Sequence, residues 1–263
     1  MKQRIITAVV ALAVFLPIVF WGGWAFVILA YAMATVGLYE LFKMRKLSLK
    51  SGQGIISLVL LWVLLLPQNY FDTISIGGWT KMEVMTAAVL LFLSYSVAVK
   101  NKFTFDDVAT SLLSVLYIGL GFYFFIVTRE AGILYLLYAL IVVWVTDSGA
   151  YFIGRAVGKR KLWPEISPNK TVEGFIGGIV SALAVAVLFS IFTTIDIPFL
   201  KLMIITIILS IFGQIGDLAE SALKRHYGVK DSGNLMPGHG GILDRCDSWL
   251  FVLPLFQLLY VIN

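Results

Sequence analysis

The sequence predicts an all-α polytopic membrane protein of about nine transmembrane helices, with the N-terminus in the cytoplasm and the C-terminus outside. Three observations predict this. Of 263 residues, 60% are hydrophobic and only 13% charged, whereas a soluble domain carries about a quarter charged residues. The apolar residues come in long runs. A helix that crosses a hydrocarbon core of about 30 Å at about 1.5 Å per residue needs about 20 of them. The basic residues, finally, collect in alternate connections between the runs.

Taken in order, the candidate spans are 4–20, 24–42, 54–67, 84–99, 108–128, 132–154, 172–192, 198–220 and 247–262. The first follows Lys2 and Arg4 and imitates a signal peptide, but no small-x-small cleavage site follows, and the chain runs on through Trp21 and Trp24 into the next span. It contains Pro17, which membrane helices tolerate. The third and the last are short. With the N-terminus inside, the inner segments hold Lys2 and Arg4, then Lys43, Arg45, Lys46 and Lys50, then Lys100 and Lys102. Further along they hold Arg155, Lys159, Arg160, Lys161 and Lys170, and finally Lys224, Arg225, Lys230 and Arg245. Only Lys81, Arg129 and Lys201 fall outside, in accord with the positive-inside rule. No Gly/Ser or Pro-rich linker divides the chain, so it reads as a single transmembrane domain, 1–263. Within it 1–130 is mainly structural, its few acids mostly in loops, and 131–263 carries the chemistry. The single cysteine, Cys246, excludes an internal disulfide and a cysteine-based zinc site.

Two polar clusters stand out in the second half. In the first, Asp147 lies about two turns inside the sixth span, where a carboxylate costs roughly 2.5–3.5 kcal/mol on insertion scales. It calls for a wet cavity or a cationic partner, or else a hydrogen bond between helices. The basic residues Lys159 to Lys161 that follow suit a topological role near anionic headgroups. The stretch 167–174, Ser-Pro-Asn-Lys-Thr-Val-Glu-Gly, differs. Ser167, Asn169, Lys170 and Thr171 offer donors at a helix start, which suits phosphate. Ordinary capping, with Asn169 or Thr171 as N-cap and Glu173 in the first turn, accounts for the same residues. It is no Walker A sequence.

In the second cluster, Asp217, Ser221 and Lys224 share one helix face at i, i+4 and i+7, with Glu220 adjacent. The following loop adds Arg225, Lys230 and Asp231, and its glycines permit unusual backbone angles. Asp244 and Asp247 face the same way if the ninth helix starts there. Capping explains one carboxylate but not the acids and bases that converge on one loop. Carboxylates with few histidines point to a hard cation, magnesium rather than zinc, bound together with substrate phosphates. His239, in a Pro-Gly-His-Gly-Gly turn, is a candidate acid/base group, or a turn-stabilising one.

These residues resemble the phosphatidate cytidylyltransferase (CDP-diacylglycerol synthase) family. The resemblance lies in Ser221, Lys224-Arg225, Lys230-Asp231, Gly233, Pro237, His239-Gly240-Gly241, Asp244-Arg245 and Asp247, at matching spacings. Upstream, Asp147 to Arg155 and Ser167 to Gly174 are also similar to that family. Cys246 departs from its usual apolar residue. The resemblance implies that CTP and phosphatidate give CDP-diacylglycerol and pyrophosphate, with a divalent metal. It further implies a homodimer in a bacterial inner membrane, its site on the cytoplasmic side. Partners would be the two substrates and membrane lipids, and no nucleic acid.

On that reading Asp217, Asp244 and Lys224 are the candidate catalytic residues. Asp217, Asp244 and Asp247 would hold magnesium, with a second cation as an option. Lys224, Arg225, Lys230 and Arg245 would hold phosphates, and Ser167, Asn169, Lys170 and Thr171 would form the other wall. Asp147, Ser221, Asp231 and His239 complete the substrate-binding set. The competing readings are an ion transporter, for which Asp147 and Asp217 would form a path, and a CTP-dependent enzyme acting on a polyprenyl lipid.

Overall fold

The computed structural model describes residues 2–74, 78–236, 238 and 240–261. Among them the chain is almost entirely helical. In order it forms α1 (Lys2–Trp21), α2 (Gly23–Met44), α3 (Gly52–Leu65), α4 (Gln68–Ile74), α5 (Lys81–Ala98), α6 (Phe105–Ala131) and α7 (Ile133–Val157). Then come a hairpin of β1 (Lys161–Trp163) and β2 (Ser167–Thr171), and α8 (Val172–Phe192), α9 (Phe199–His226) and α10 (Leu243–Val261). Among the described residues, six helices are long and apolar enough to cross a membrane: α2, α5, α6, α7, α8 and α9. Two shorter apolar stretches, Ile6–Trp21 and Gly52–Leu65, accompany them.

The structure departs from the expected elements in three places. α4 is an additional short helix. The segment 161–171, which reads as loop in the sequence, is a hairpin. α7 and α9 also outrun their expected ends, so that Arg155, Lys224 and Arg225 are helical residues. A continuous helix satisfies its backbone groups internally at any depth, so nothing requires these helices to stop where the apolar run does.

Two compact units divide the chain. The first takes it through Val127 and adds Ser232–Ile242. Its core is aromatic: Phe26 and Phe122 both meet Phe125, at 4.5 and 6.2 Å between centroids. α3 starts at the N-cap Ser51, whose hydroxyl accepts the Gly54 N–H at 3.3 Å. α5 starts with a capping box made by Thr80 and Glu83. The C-terminal carbonyls of α3 are taken up by Lys81, whose Nζ donates to Leu64 O at 3.1 Å and to Leu66 O at 2.7 Å. The same ammonium lies 3.7 Å from the centre of the Tyr123 ring, a cation–π contact.

Glu40 falls within a plain span in the sequence. It is instead a buried acid, 2% exposed, held by the segment 232–242. Ser232 Oγ donates to its Oε2 at 3.1 Å and Ile242 N to its Oε1 at 2.9 Å. Within that segment Met236 N donates to Gly240 O at 2.9 Å, closing a turn. Gly238 and Gly240 take φ of 78° and 82° there, a left-handed conformation that side chains disfavour.

The second unit comprises Thr128–Asp231 and the chain from Leu243 onward. α7 and α8 approach closely because small residues face each other. A Cβ on Gly174 would lie 2.7 Å from Ala150 O, and one on Gly177 would lie 2.6 Å from Ile153 Cβ. Small residues at such a crossing let helices gain dispersion contact where lipid supplies no hydrophobic drive. α7 and α9 are joined by buried hydroxyls: Tyr138 to Thr206, and Thr146 Oγ1 donating to Ser210 Oγ at 3.0 Å. Gln214, one turn further along α9, donates to Phe175 O of α8 at 3.2 Å and to Ser210 O at 3.3 Å. Each such bond between helices in an apolar medium contributes about 0.6–2 kcal/mol.

Candidate functional site

The second unit contains a cavity of about 780 Å³, within the range of small-molecule sites. Its wall is made by α7, the hairpin, α8, α9, the residues after α9, and the start of α10. Asp147 stands on α7, ten residues before the helix ends at Val157, so it lies about 15 Å from that end. It lines the cavity, as do Asn169, Lys170 and Thr171 from β2, Asp217 and Lys224 from α9, Asp231, and Asp244, Arg245 and Asp247 from α10.

Local sequence explains how each wall is set. Thr171 ends β2 and caps α8, its hydroxyl accepting the Gly174 N–H at 3.1 Å. Glu173 in the first turn accepts the N–H groups of Lys159 at 3.0 Å and Arg160 at 3.2 Å. It also pairs with the Arg160 guanidinium at 3.3 Å. The capping roles expected of Thr171 and Glu173 are therefore present, and they anchor the segment before the hairpin to the start of α8.

The charged groups form pairs between elements. Lys170 Nζ lies 2.7 Å from Asp217 Oδ2 and 3.5 Å from Gln214 O. Ser221 Oγ donates to Asp217 Oδ1 at 3.3 Å, so these two do share a helix face. Lys224 has other partners. Its ammonium pairs with Glu220 on the same helix and with Asp244 Oδ1 at 2.6 Å. Glu220 is 1% exposed, and a carboxylate so buried depends on that lysine for its charge balance. Asp247 Oδ1 accepts the backbone N–H of Ser248 at 2.7 Å.

Some expected site residues stand apart from the cavity wall. Ser167 sits at the far end of β2, paired in register with Trp163. Arg225 is exposed and donates its Nε to Ile166 O at 3.5 Å, tying the end of α9 to the hairpin turn. Lys230 is exposed in the loop after α9. His239 lies outside the described residues. Reading the sequence missed the partnership of Glu220, although its i, i+4 spacing to Lys224 was visible, and missed Gln214, a lone amide inside an apolar run one turn before Asp217.

The whole chain matches one family. The model of the cytidylyltransferase family covers residues 2–263. The chain belongs to the cytidylyltransferase family. Among curated relatives in this family, it is 56% identical over 262 residues to the phosphatidate cytidylyltransferase of Bacillus subtilis strain 168, covering 98% of this chain and 97% of that one. It is 49% identical over 264 residues to the phosphatidate cytidylyltransferase of Staphylococcus haemolyticus, and 48% identical over 264 residues to that of Staphylococcus aureus strain COL, covering 99% of each chain in both cases. The family likeness thus extends well beyond the C-terminal signature, through the first six helices.

The donor set of the cavity suits a hard cation. Among the described residues no group of three or more His, Cys, Asp or Glu is arranged as a metal cluster. Magnesium, however, commonly uses one or two carboxylates and takes its other ligands from water and phosphate. Asp217, Asp244 and Asp247 are the carboxylates that α9 and α10 bring to the cavity wall.

Proposed function

We propose that this cavity transfers the CMP moiety of CTP to phosphatidate, giving CDP-diacylglycerol and pyrophosphate in phospholipid biosynthesis. The observation that carries the reading is a cavity lined by lysines and carboxylates, in a chain that matches phosphatidate cytidylyltransferases along its length. The lipid phosphate oxygen attacks the α-phosphorus of CTP in line. The new P–O bond forms as the bond to the α–β bridging oxygen breaks, and pyrophosphate leaves with that oxygen. Phosphoryl-type transfer asks the protein chiefly for positioning and charge neutralisation.

The paired lysines supply both. Lys170 and Lys224 each sit against carboxylates at the cavity wall, so an incoming phosphate exchanges one anionic partner for another at little cost in charge. Arg245 faces the same cavity and adds a bidentate donor for phosphate. Thr171 is occupied as the cap of α8, and Asn169 and Lys170 carry the polar contacts of that wall. Ser221 orients Asp217. Asp217 and Asp247, with Asp244 alongside, are the carboxylates that would hold magnesium, and Asp147 on the same wall would be available to a second cation. A bound cation neutralises phosphate oxygens and so stabilises charge in the transition state.

The reading includes nine membrane spans with a cytoplasmic N-terminus, a site open to the cytoplasmic face of the inner membrane, and a homodimer. The one-sided distribution of basic residues supports the topology, and it suits a nucleotide arriving from the cytosol and a lipid from the inner leaflet. The test is incubation of purified protein with CTP, magnesium and phosphatidate, scored for CDP-diacylglycerol. Product with a polyprenyl acceptor but not with phosphatidate, or ion flux in liposomes without product, would refute the assignment. Cysteine-accessibility labelling of the loops and the mass of the detergent-solubilised assembly test topology and dimer.

A further inference from the structure

Glu40 lies in the first unit, on a helix expected to serve only as a span, and its carboxylate is turned inward rather than toward lipid. It is 2% exposed. Its two oxygens accept from Ser232 Oγ and Ile242 N, the first and last residues of 232–242. The glycines next to these ends leave the carboxylate its space. A Cβ on Gly233 would lie 2.5 Å from Glu40 Oε1, and a Cβ on Gly241 would overlap both carboxylate oxygens. Gly241 has no left-handed φ, so it is this crowding, not backbone strain, that requires glycine there.

Chain connectivity turns this packing into a functional matter. Asp231 immediately precedes Ser232, and Asp244 and Arg245 follow Ile242 by two and three residues. All three line the cavity. We propose that Glu40 is a positioning residue for the transfer reaction: its carboxylate closes the ends of 232–242 on each other and so fixes the backbone from which Asp231 and Asp244–Arg245 enter the site. A negative charge does this better than a neutral group, because hydrogen bonds to an ionised acceptor are shorter and about twice as strong. The inference rests on the transfer reading above.

The test uses the full-length protein in detergent micelles, with three readouts: thermal unfolding, the dissociation constant for CTP, and kcat and KM with CTP varied. Glu40→Ala and Gly241→Ala are each expected to lower kcat/KM for CTP by about 10²-fold, the size of loss that a displacement of about 1 Å produces, and to weaken CTP binding. The double variant is expected to be no worse than either single one, since the methyl group added at position 241 then fills the space the carboxylate has left and the effects are not additive. Glu40→Gln, which keeps the shape and one acceptor but loses the charge, is expected to recover part of the activity. If Glu40→Ala does not accumulate, Gly241→Ala and Glu40→Gln carry the test. A purely structural role would lower the yield of folded protein and the maximal rate at an unchanged CTP dissociation constant. That outcome, or strictly additive losses in the double variant, overturns the inference while an active wild type leaves the transfer reading standing. A folded wild type that makes no CDP-diacylglycerol overturns both.

Discussion

Glu40 in the first unit and Glu220 in the second are both helical carboxylates with almost no exposure, 2% and 1%, and both meet donors of different kinds. The contacts of Glu40 include a hydroxyl and a backbone N–H. Glu220 is met by the ammonium of Lys224, which it shares with Asp244. A backbone donor is fixed by the chain and holds a shape. An ammonium on a four-carbon arm can change partners when a phosphate arrives. The first unit uses buried charge to fix a loop, and the second keeps its charge in pairs that a ligand can exchange.

The largest expected effect tests the exchangeable pairs. Asp244→Asn should lower the rate of CDP-diacylglycerol formation by about 10³-fold, the upper end of what removing one transition-state electrostatic contact costs, with thermal unfolding little changed. Retained activity would remove Asp244 from the chemistry. Next, Lys170→Met leaves Asp217 without its ammonium. It should lower kcat/KM for CTP by about 10–100-fold, as charge-assisted hydrogen bonds of about 1.5–3 kcal/mol would predict, and a variant with normal kinetics would make that pair merely structural. Smaller still, Thr171→Val removes the cap of α8 and should cost about 1 kcal/mol of stability, read as a lower unfolding midpoint. The smallest effect belongs to the first unit. Arg45 and Asp107 pair at 3.2 Å near the surface, so Arg45→Gln should change stability by less than about 1 kcal/mol and leave activity intact. A large loss of activity there would erase the contrast between the units.

Much of the site could be read from spacing along the chain. Ser221 and Asp217 meet as neighbours on one helix face, and Thr171 caps α8 with Glu173 in its first turn, because both relations depend only on helix geometry. The hairpin at 161–171 was not legible, since strands of three and five residues are too short to show alternation. Nor was the choice of partners. Spacing placed Asp217 and Lys224 together, whereas Asp217 took Lys170 and Lys224 took Glu220 and Asp244.

By itself the sequence determined the helical class and the apolar character of the spans. Run length and charge distribution answer to the bilayer, and carboxylates with lysines suit a phosphate-rich ligand in whatever order they meet. Only the tertiary structure decided which acid meets which base, and that Glu40 reaches Ile242, a residue 202 positions away. Contacts of that range are set by how helices pack and where chain ends are closed, and no local periodicity records them.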